Sequence, residues 1–260
     1  MKDILVTICA RAGSKGVASK NTRDFLGYPI CYYTLSALGL FIERHGARYG
    51  RFDIAVNTDS GELIRQMDKT GFEYFKAARK DDLAGDRASK IDVIRDTLAQ
   101  AEQTTGKSYG VVLDMDITSP LRRADDVKNV IETLENTKGA QVALSVTEAR
   151  RNPYFNQLSK DTDGYYRTVI KSDFVARQQA PEIFDANASL YAYDPEFLKT
   201  ENTIITRAKL AVSIMKDTAV LDIDSEQDYE LMQVLAEYFY KMDILFGEIR
   251  ENIKRFIRPL

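Results

Sequence analysis

The chain of 260 residues is long enough for one large domain with its own core, and its 44% hydrophobic and 29% charged content, with 14 Gly and 6 Pro, excludes disorder, collagen-like repeats and low complexity. Its 36 Lys and Arg against 39 Asp and Glu give a formal charge of −3, so no global basic excess exists to hold nucleic acid or an anionic membrane, and any anion site is local. One histidine and two cysteines exclude a His-rich metal cluster, a disulfide scaffold and a cysteine-rich zinc site.

In chain order, the apolar run at residues 4–10 reads as a buried first strand containing Cys9. It is too short for a signal peptide, and no run of about 18 apolar residues follows, so a cytoplasmic protein in a reducing compartment is expected. A helix pattern starts after Pro29 and contains Cys31. Both cysteines are expected to be packed thiols, and His45, in a predicted loop, a surface residue rather than a triad member. Residues 53–57, 111–114, 142–146, 189–193 and 219–223 read as further strands. Helices are expected after Ser60, after Ser89 with Asp92 three residues on, after Ala124, and after Ser225 with Asp228 three on. The alternation predicts an α/β fold, a mostly parallel sheet flanked by helices. Residues 148–186 break the rhythm with Arg150-Arg151-Asn152-Pro153, the polar turn Lys160-Asp161-Thr162-Asp163-Gly164 and the pair Tyr165-Tyr166. They are expected to form an inserted dimerisation arm that borders the site, with a flap over a sheet edge as the alternative. Residues 225–259 read as one helix whose Leu231, Val234, Leu235, Tyr238, Phe239 and Met242 would meet the core or a second subunit. Without internal repeats or a flexible linker, residues 1–260 read as a single domain carrying that insertion.

Three stretches carry chemistry. After the first strand comes Ala10-Arg11-Ala12-Gly13-Ser14-Lys15-Gly16-Val17-Ala18-Ser19-Lys20-Asn21, which places glycines and three cations where open α/β sheets bind ligands. This is a phosphate cradle, but neither a Walker A loop nor a dinucleotide-binding loop, because GxxxxGK[ST] and GxGxxG are both absent. Second, Leu221-Asp222-Ile223-Asp224 is expected to end the last strand, with alternation placing both carboxylates on one face as Mg²⁺ ligands. Third, in Leu113-Asp114-Met115-Asp116-Ile117-Thr118-Ser119-Pro120-Leu121-Arg122, Asp114 and Asp116 again share a face; Asp116, at the strand end, is placed to help the same metal or to cap the turn.

The cradle, the run Thr118-Ser119-Pro120-Leu121-Arg122 and the pair Asp222 and Asp224 together resemble the acylneuraminate cytidylyltransferases, the CMP-sialic acid synthetases, over essentially the whole chain. The resemblance implies a nucleotide-diphospho-sugar transferase fold, CTP as nucleotide, Mg²⁺ as metal, a homodimer joined through the arm, and release of pyrophosphate. It implies that Arg11, Gly13, Ser14, Lys15, Lys20 and Asn21 contact CTP. Arg79 and Asp86, from a stretch similar to the family's Arg-Pro-x-x-Leu-Ala-x-Asp motif, would join them, and Asp222 and Asp224 would bind the metal.

The sialic acid enzymes carry Gln-Pro-Thr-Ser-Pro where this chain has Asp116-Ile117-Thr118-Ser119-Pro120, and Arg-Pro-Asn-Gly where it has Asp185-Ala186-Asn187-Ala188. Losing an arginine and gaining carboxylates beside the acceptor argues against N-acetylneuraminate itself, and the pattern is more similar to the branch acting on legionaminic acid. Asp116, Thr118, Ser119, Arg177, Gln178 and Asn187 are the expected acceptor contacts, with Arg177 or another arm residue meeting the sugar's carboxylate. The expected reaction is attack by the anomeric hydroxyl on the α-phosphorus of CTP, with Arg11 and Lys15 stabilising phosphate charge. Asp116 acting through water, or a hydroxide on the metal, would take the proton. The alternatives are a nucleotidyltransferase of the same fold acting on 3-deoxy-manno-octulosonate or a sugar phosphate, and a non-catalytic nucleotide-binding protein.

Overall fold

The computed structural model describes residues 1–13, 16–85, 88–200, 204–219 and 222–257. Its strands are β1 (Ile4–Cys9), the two-residue β2 (Asp24–Phe25) and β3 (Tyr28–Pro29), β4 (Phe52–Asn57), β5 (Phe75–Ala77), β6 (Val111–Met115), β7 (Val142–Glu148), the short β8 (Leu158–Lys160) and β9 (Tyr166–Thr168), β10 (Phe184–Tyr193) and β11 (Leu210–Ile214). The helices are α1 (Cys31–His45), α2 (Gly61–Asp68), α3 (Asp81–Ala84), α4 (Lys90–Thr105), α5 (Ala124–Asn136), α6 (Pro195–Lys199), α7 (Glu226–Met242) and α8 (Ile244–Phe256). Among the described residues, no helix is long and apolar enough to cross a membrane.

Seven strands form one sheet in the order β11-β7-β10-β6-β1-β4-β5. β1 runs parallel to both β4 and β6, and β11 parallel to β7; β10 alone is antiparallel to its neighbours. Strand alternation splits the core in two. Ile4, Val6 and Ile8 pack under α1, α5, α7 and α8, whereas Leu5 joins Ile94 and Leu98 of α4 on the other face. The chain leaves β1 toward β4 on one side and later returns to β6 on the other, so the crevice beyond the carboxyl ends of β1 and β6 is a topological switch point. The cradle and the Asp116 turn flank it.

Helix starts follow local chemistry. Ser60, Ser89 and Ser225 each accept a hydrogen bond from a backbone N–H three residues on, and Asp228 returns the bond to Ser225. Two expectations fail. Of the last strand expected over 219–223, residues 220 and 221 lie outside the described residues, Ala219 ends the 3₁₀ turn Asp217–Ala219 and 222–223 are irregular, while β11, whose residues alternate out and in, takes the sheet edge. The helix expected over 225–259 is two helices, broken at Asp243, whose side chain accepts from the Leu245 N–H and starts α8. The core face of α7 is Tyr229, Met232, Ala236 and Tyr240; Leu231, Val234, Tyr238 and Met242 are exposed, and only Leu235 and Phe239 of the expected stripe pack against the core. The excursion over 148–186 leaves from Glu148 and returns at Phe184, which pair across β7 and β10, and contains the β8–β9 hairpin. Tyr165, Tyr166 and Val175 on it are exposed.

Candidate active site

A cavity of about 420 Å³ opens at the switch point, lined by the cradle (Ala10, Arg11, Gly16, Lys20, Asn21), by Arg79, Gly85, Ala88 and Lys90, and by the acidic positions Asp116, Asp222 and Asp224. The cradle is shaped by its glycines. Gly13 has φ +72°, a region that disfavours L side chains, and at Gly16 a Cβ would stand 1.9 Å from the Asp224 carbonyl oxygen. The loop therefore lies directly against the 222–224 segment. The Ala12 N–H donates to Asp59 Oδ1 at 2.5 Å, and Asn21 Nδ2 donates to the Arg11 carbonyl at 3.1 Å, which ties both ends of the turn. Ser14, Lys15 and Asp86 lie outside the described residues, as does the side chain of Arg177.

Opposite the cradle, Arg79 is oriented by Asn57 Oδ1 at 3.3 Å and by the Leu83 carbonyl at 3.0 Å. Asn57 is itself held by Thr97 Oγ1 at 2.9 Å, so the guanidinium rests on a buried network rather than on a surface contact. Cys9 reaches the cavity wall. Burial, then Asp114, pushes its thiol up to about 12, so it stays protonated and inert near neutral pH.

The acidic side departs from the expected pairing. Thr118 Oγ1 lies 2.7 Å from Asp116 Oδ1 and 2.7 Å from Asp222 Oδ1, so one hydroxyl with a single proton stands between two carboxylates. Burial, then repulsion from Asp116, raises the Asp222 carboxyl above its ordinary value. Asp224 is largely exposed, and its Oδ1 accepts from Lys20 Nζ at 2.9 Å. Because 222–224 is irregular rather than a strand, alternation does not place Asp222 and Asp224, though both line the cavity, and Asp116 is the carboxylate linked to Asp222 through Thr118. Among the described residues no group of three or more His, Cys, Asp or Glu converges as a ready-made metal site. A two-carboxylate site nonetheless suits Mg²⁺, which takes one or two protein carboxylates and completes its shell with waters and substrate phosphates.

Lys90, which no motif singled out, sits between Asp114 Oδ2 at 2.9 Å and Asp116 Oδ2 at 2.7 Å. Burial opposes its charge, yet the two carboxylates hold it protonated, well above the usual lysine range. Burial likewise opposes ionisation of Asp116, but Lys90 and the Thr118 contacts outweigh it and hold that carboxyl well below its usual range. Asp116 is thus a weak proton acceptor, against the expectation that it serves as base through water. The turn is braced by Arg122, fully buried, whose guanidinium donates to the Ser119 carbonyl at 3.0 Å, to Ser189 Oγ at 3.1 Å and to the Asp116 carbonyl. Burial lowers this arginine to about 10, outweighing the opposing pull of Asp116, Asp126 and Asp114.

Two expected acceptor contacts are structural instead. Asn187 is buried in the β10 bulge, its Oδ1 accepting from Ser145 Oγ at 2.5 Å and from the Ser189 N–H at 3.2 Å. Ser119 is 2% exposed and its hydroxyl is sealed away from the cavity, whereas Thr118 lines it. Gln178 lies in the arm and lines a separate cavity of about 480 Å³ with Glu148, Asn152 and Phe184. His45 lies beside Asp125 at 3.4 Å and is not among the residues that line the active-site cavity.

The profile of the cytidylyltransferase family matches residues 5–244. The chain is 34% identical over 238 residues to the post-translational flagellin modification protein B of Campylobacter coli, covering 91% of this chain and 96% of that protein. It is also 34% identical over 239 residues to the CMP-N,N'-diacetyllegionaminic acid synthase of Campylobacter jejuni, covering 90% and 95%. To an N-acylneuraminate cytidylyltransferase of Streptococcus agalactiae it is 29% identical over 92% of this chain but only 54% of that longer protein. Its fold is similar to that of a CMP:2-keto-3-deoxy-manno-octonic acid synthetase complexed with CTP, at a TM-score of 0.62 and 13% identity over 91% of this chain and 99% of that one. With the profile spanning almost the whole chain, and a basic glycine loop facing an acidic pair across one cavity, this protein belongs to the cytidylyltransferase family.

Proposed function

We propose that the protein transfers the CMP unit of CTP to the anomeric hydroxyl of a nonulosonic acid of legionaminic type, releasing pyrophosphate. The observation that carries this reading is the cavity itself. Arg11, Lys20, Asn21 and Arg79 offer donors for a nucleotide triphosphate on one wall, and Asp116 and Asp222 stand on the other, beside which the acceptor would lie. The identity of 34% to a legionaminic acid synthase over nearly the full length of both chains supports the choice of sugar.

Arg11 and Lys20, with Lys15 from the same loop, would bind and orient the phosphates and hold their charge as the α-phosphorus is attacked. Asp116 and Asp222 would hold Mg²⁺, with Asp224 joining only by releasing Lys20. That ion, when bound, supplies positive charge where phosphate oxygens gather. Thr118 keeps the two carboxylates at a fixed separation, and Arg122 keeps Thr118 in place.

The exposed aromatic residues of the arm support a homodimer formed through residues 148–186. Because Gln178 does not line this chain's own cavity, acceptor contacts from Arg177 and Gln178 would reach the site from a second copy. Pyrophosphate release with CTP and Mg²⁺ tests the reading, offering di-N-acetyllegionaminate, N-acetylneuraminate, pseudaminate and 3-deoxy-manno-octulosonate in parallel, with UTP and GTP as nucleotide controls. Turnover with CTP and the legionaminate supports it; preference for 3-deoxy-manno-octulosonate would give the sugar assignment to the alternative, and silence with every sugar would refute the activity.

A further inference from the structure

Lys90 opens α4, where its charge meets the positive end of the helix dipole, and its side chain, 40% exposed, lines the cavity. The dipole disfavours a lysine there, and two carboxylates offset it. Its ammonium spans Asp114 Oδ2 at 2.9 Å and Asp116 Oδ2 at 2.7 Å. Asp114 is fully buried and does not line the cavity; its Oδ1 accepts from Thr7 Oγ1 at 2.8 Å, which pins it to β1. The second oxygen of Asp116, Oδ1, accepts from the Thr118 N–H at 2.8 Å and from Thr118 Oγ1 at 2.7 Å, the hydroxyl that also touches Asp222.

We propose that Lys90 is a positioning residue: anchored on Asp114, it fixes the Asp116 carboxylate so that Oδ1 stays turned toward Thr118 and Asp222. Asp114 is the immobile end of this clamp and Asp116 the working end. Without the ammonium, two carboxylates that shared one cation confront each other, and the less buried of the pair, Asp116, turns away from its place beside Asp222. Removing one charge together with the cation relieves that repulsion. The inference rests on cytidylyl transfer as the reaction.

The test is a double-mutant cycle of K90M, D114N and K90M/D114N, with K90R alongside, measuring kcat and KM by pyrophosphate release and thermal unfolding in parallel. K90M is expected to lower kcat about 100-fold with KM for CTP changed less than about threefold, the signature of lost positioning rather than lost binding. K90M/D114N is expected to recover about tenfold of that loss, and K90R to retain most activity. Equal losses in folded K90M and K90M/D114N would overturn the proposal and show that Lys90 acts on the substrate directly; wild-type kcat in K90M would overturn it as well. Should K90M fail to fold, K90M/D114N is compared with D114N: values within about tenfold support the clamp, and a gap of about 100-fold overturns it. A wild-type enzyme silent with CTP and every sugar refutes the underlying reaction, a result distinct from any pattern among the variants.

Discussion

Gly16→Ala probes the apposition on which the site depends. An ideal Cβ at this position stands 1.9 Å from the Asp224 carbonyl oxygen, whereas real Cβ contacts essentially never fall below 3.0 Å, so the cradle and the 222–224 segment must part by more than 1 Å. Gly16 is exposed and the cradle is a surface loop, so the fold absorbs this shift at small cost in stability. The chemistry does not, because the same gap is crossed by the 2.9 Å contact from Lys20 to Asp224, and Asp222 sits two residues away. A misplacement of about 1 Å between reacting groups costs about 100-fold in rate, or ~2.7 kcal/mol of barrier. The expected result is a kcat for pyrophosphate release lowered about 100-fold, with the melting temperature within about 2 °C of the parent. A kcat within about threefold of the parent at unchanged melting temperature would refute the placement of the acidic segment against the cradle.

Other perturbations separate structural from chemical roles. Asp222→Asn is expected to lower kcat by about 100-fold or more yet to raise stability at neutral pH, because the charged carboxylate is opposed by burial and by Asp116. The carboxyl is raised in the folded state, so its stabilisation is complete below the ordinary aspartate value of about 3.9 and is lost as pH climbs through the raised value. Melting curves of wild type and D222N that run parallel across that interval would contradict this. Arg122→Met strands the Ser119 and Asp116 carbonyls and the Ser189 hydroxyl, each costing about 1–3 kcal/mol when buried without a partner; urea unfolding showing a loss under about 1 kcal/mol would count against the brace. Tyr165→Asp combined with Tyr166→Asp is expected to convert a dimer to a monomer by light scattering, with activity falling in step; an unchanged mass would place the interface elsewhere.

Much of the architecture was legible because it is written in short-range patterns. Apolar runs bounded by turns marked β1, β4, β6, β7 and the second half of β10, and serine caps marked α2, α4 and α7. Where pattern and tertiary context diverge, the reading failed. The stretch around Asp222 looks like a strand, but β11 already holds the sheet edge beside β7, and the chain passes instead over the strand ends, where it meets the cradle. That is why Asp222 meets the Thr118 hydroxyl and Asp224 meets Lys20. Asn187 looked like a polar group at a ligand, yet the bulge at Ala188, with φ +53°, turns it inward to bond Ser145. Lys90 left one faint signal, a lysine at the first position of a helix, which only acquires meaning beside Asp114 of β6 and Asp116 just past its end.

The most direct test is to follow the phosphorus. With CTP, Mg²⁺ and di-N-acetyllegionaminate, phosphorus NMR is expected to show CTP replaced by one equivalent each of pyrophosphate and a CMP phosphodiester, with the same reaction much slower when N-acetylneuraminate is offered. Unchanged CTP, or release of orthophosphate without a phosphodiester, would contradict the assignment of cytidylyl transfer to this cavity.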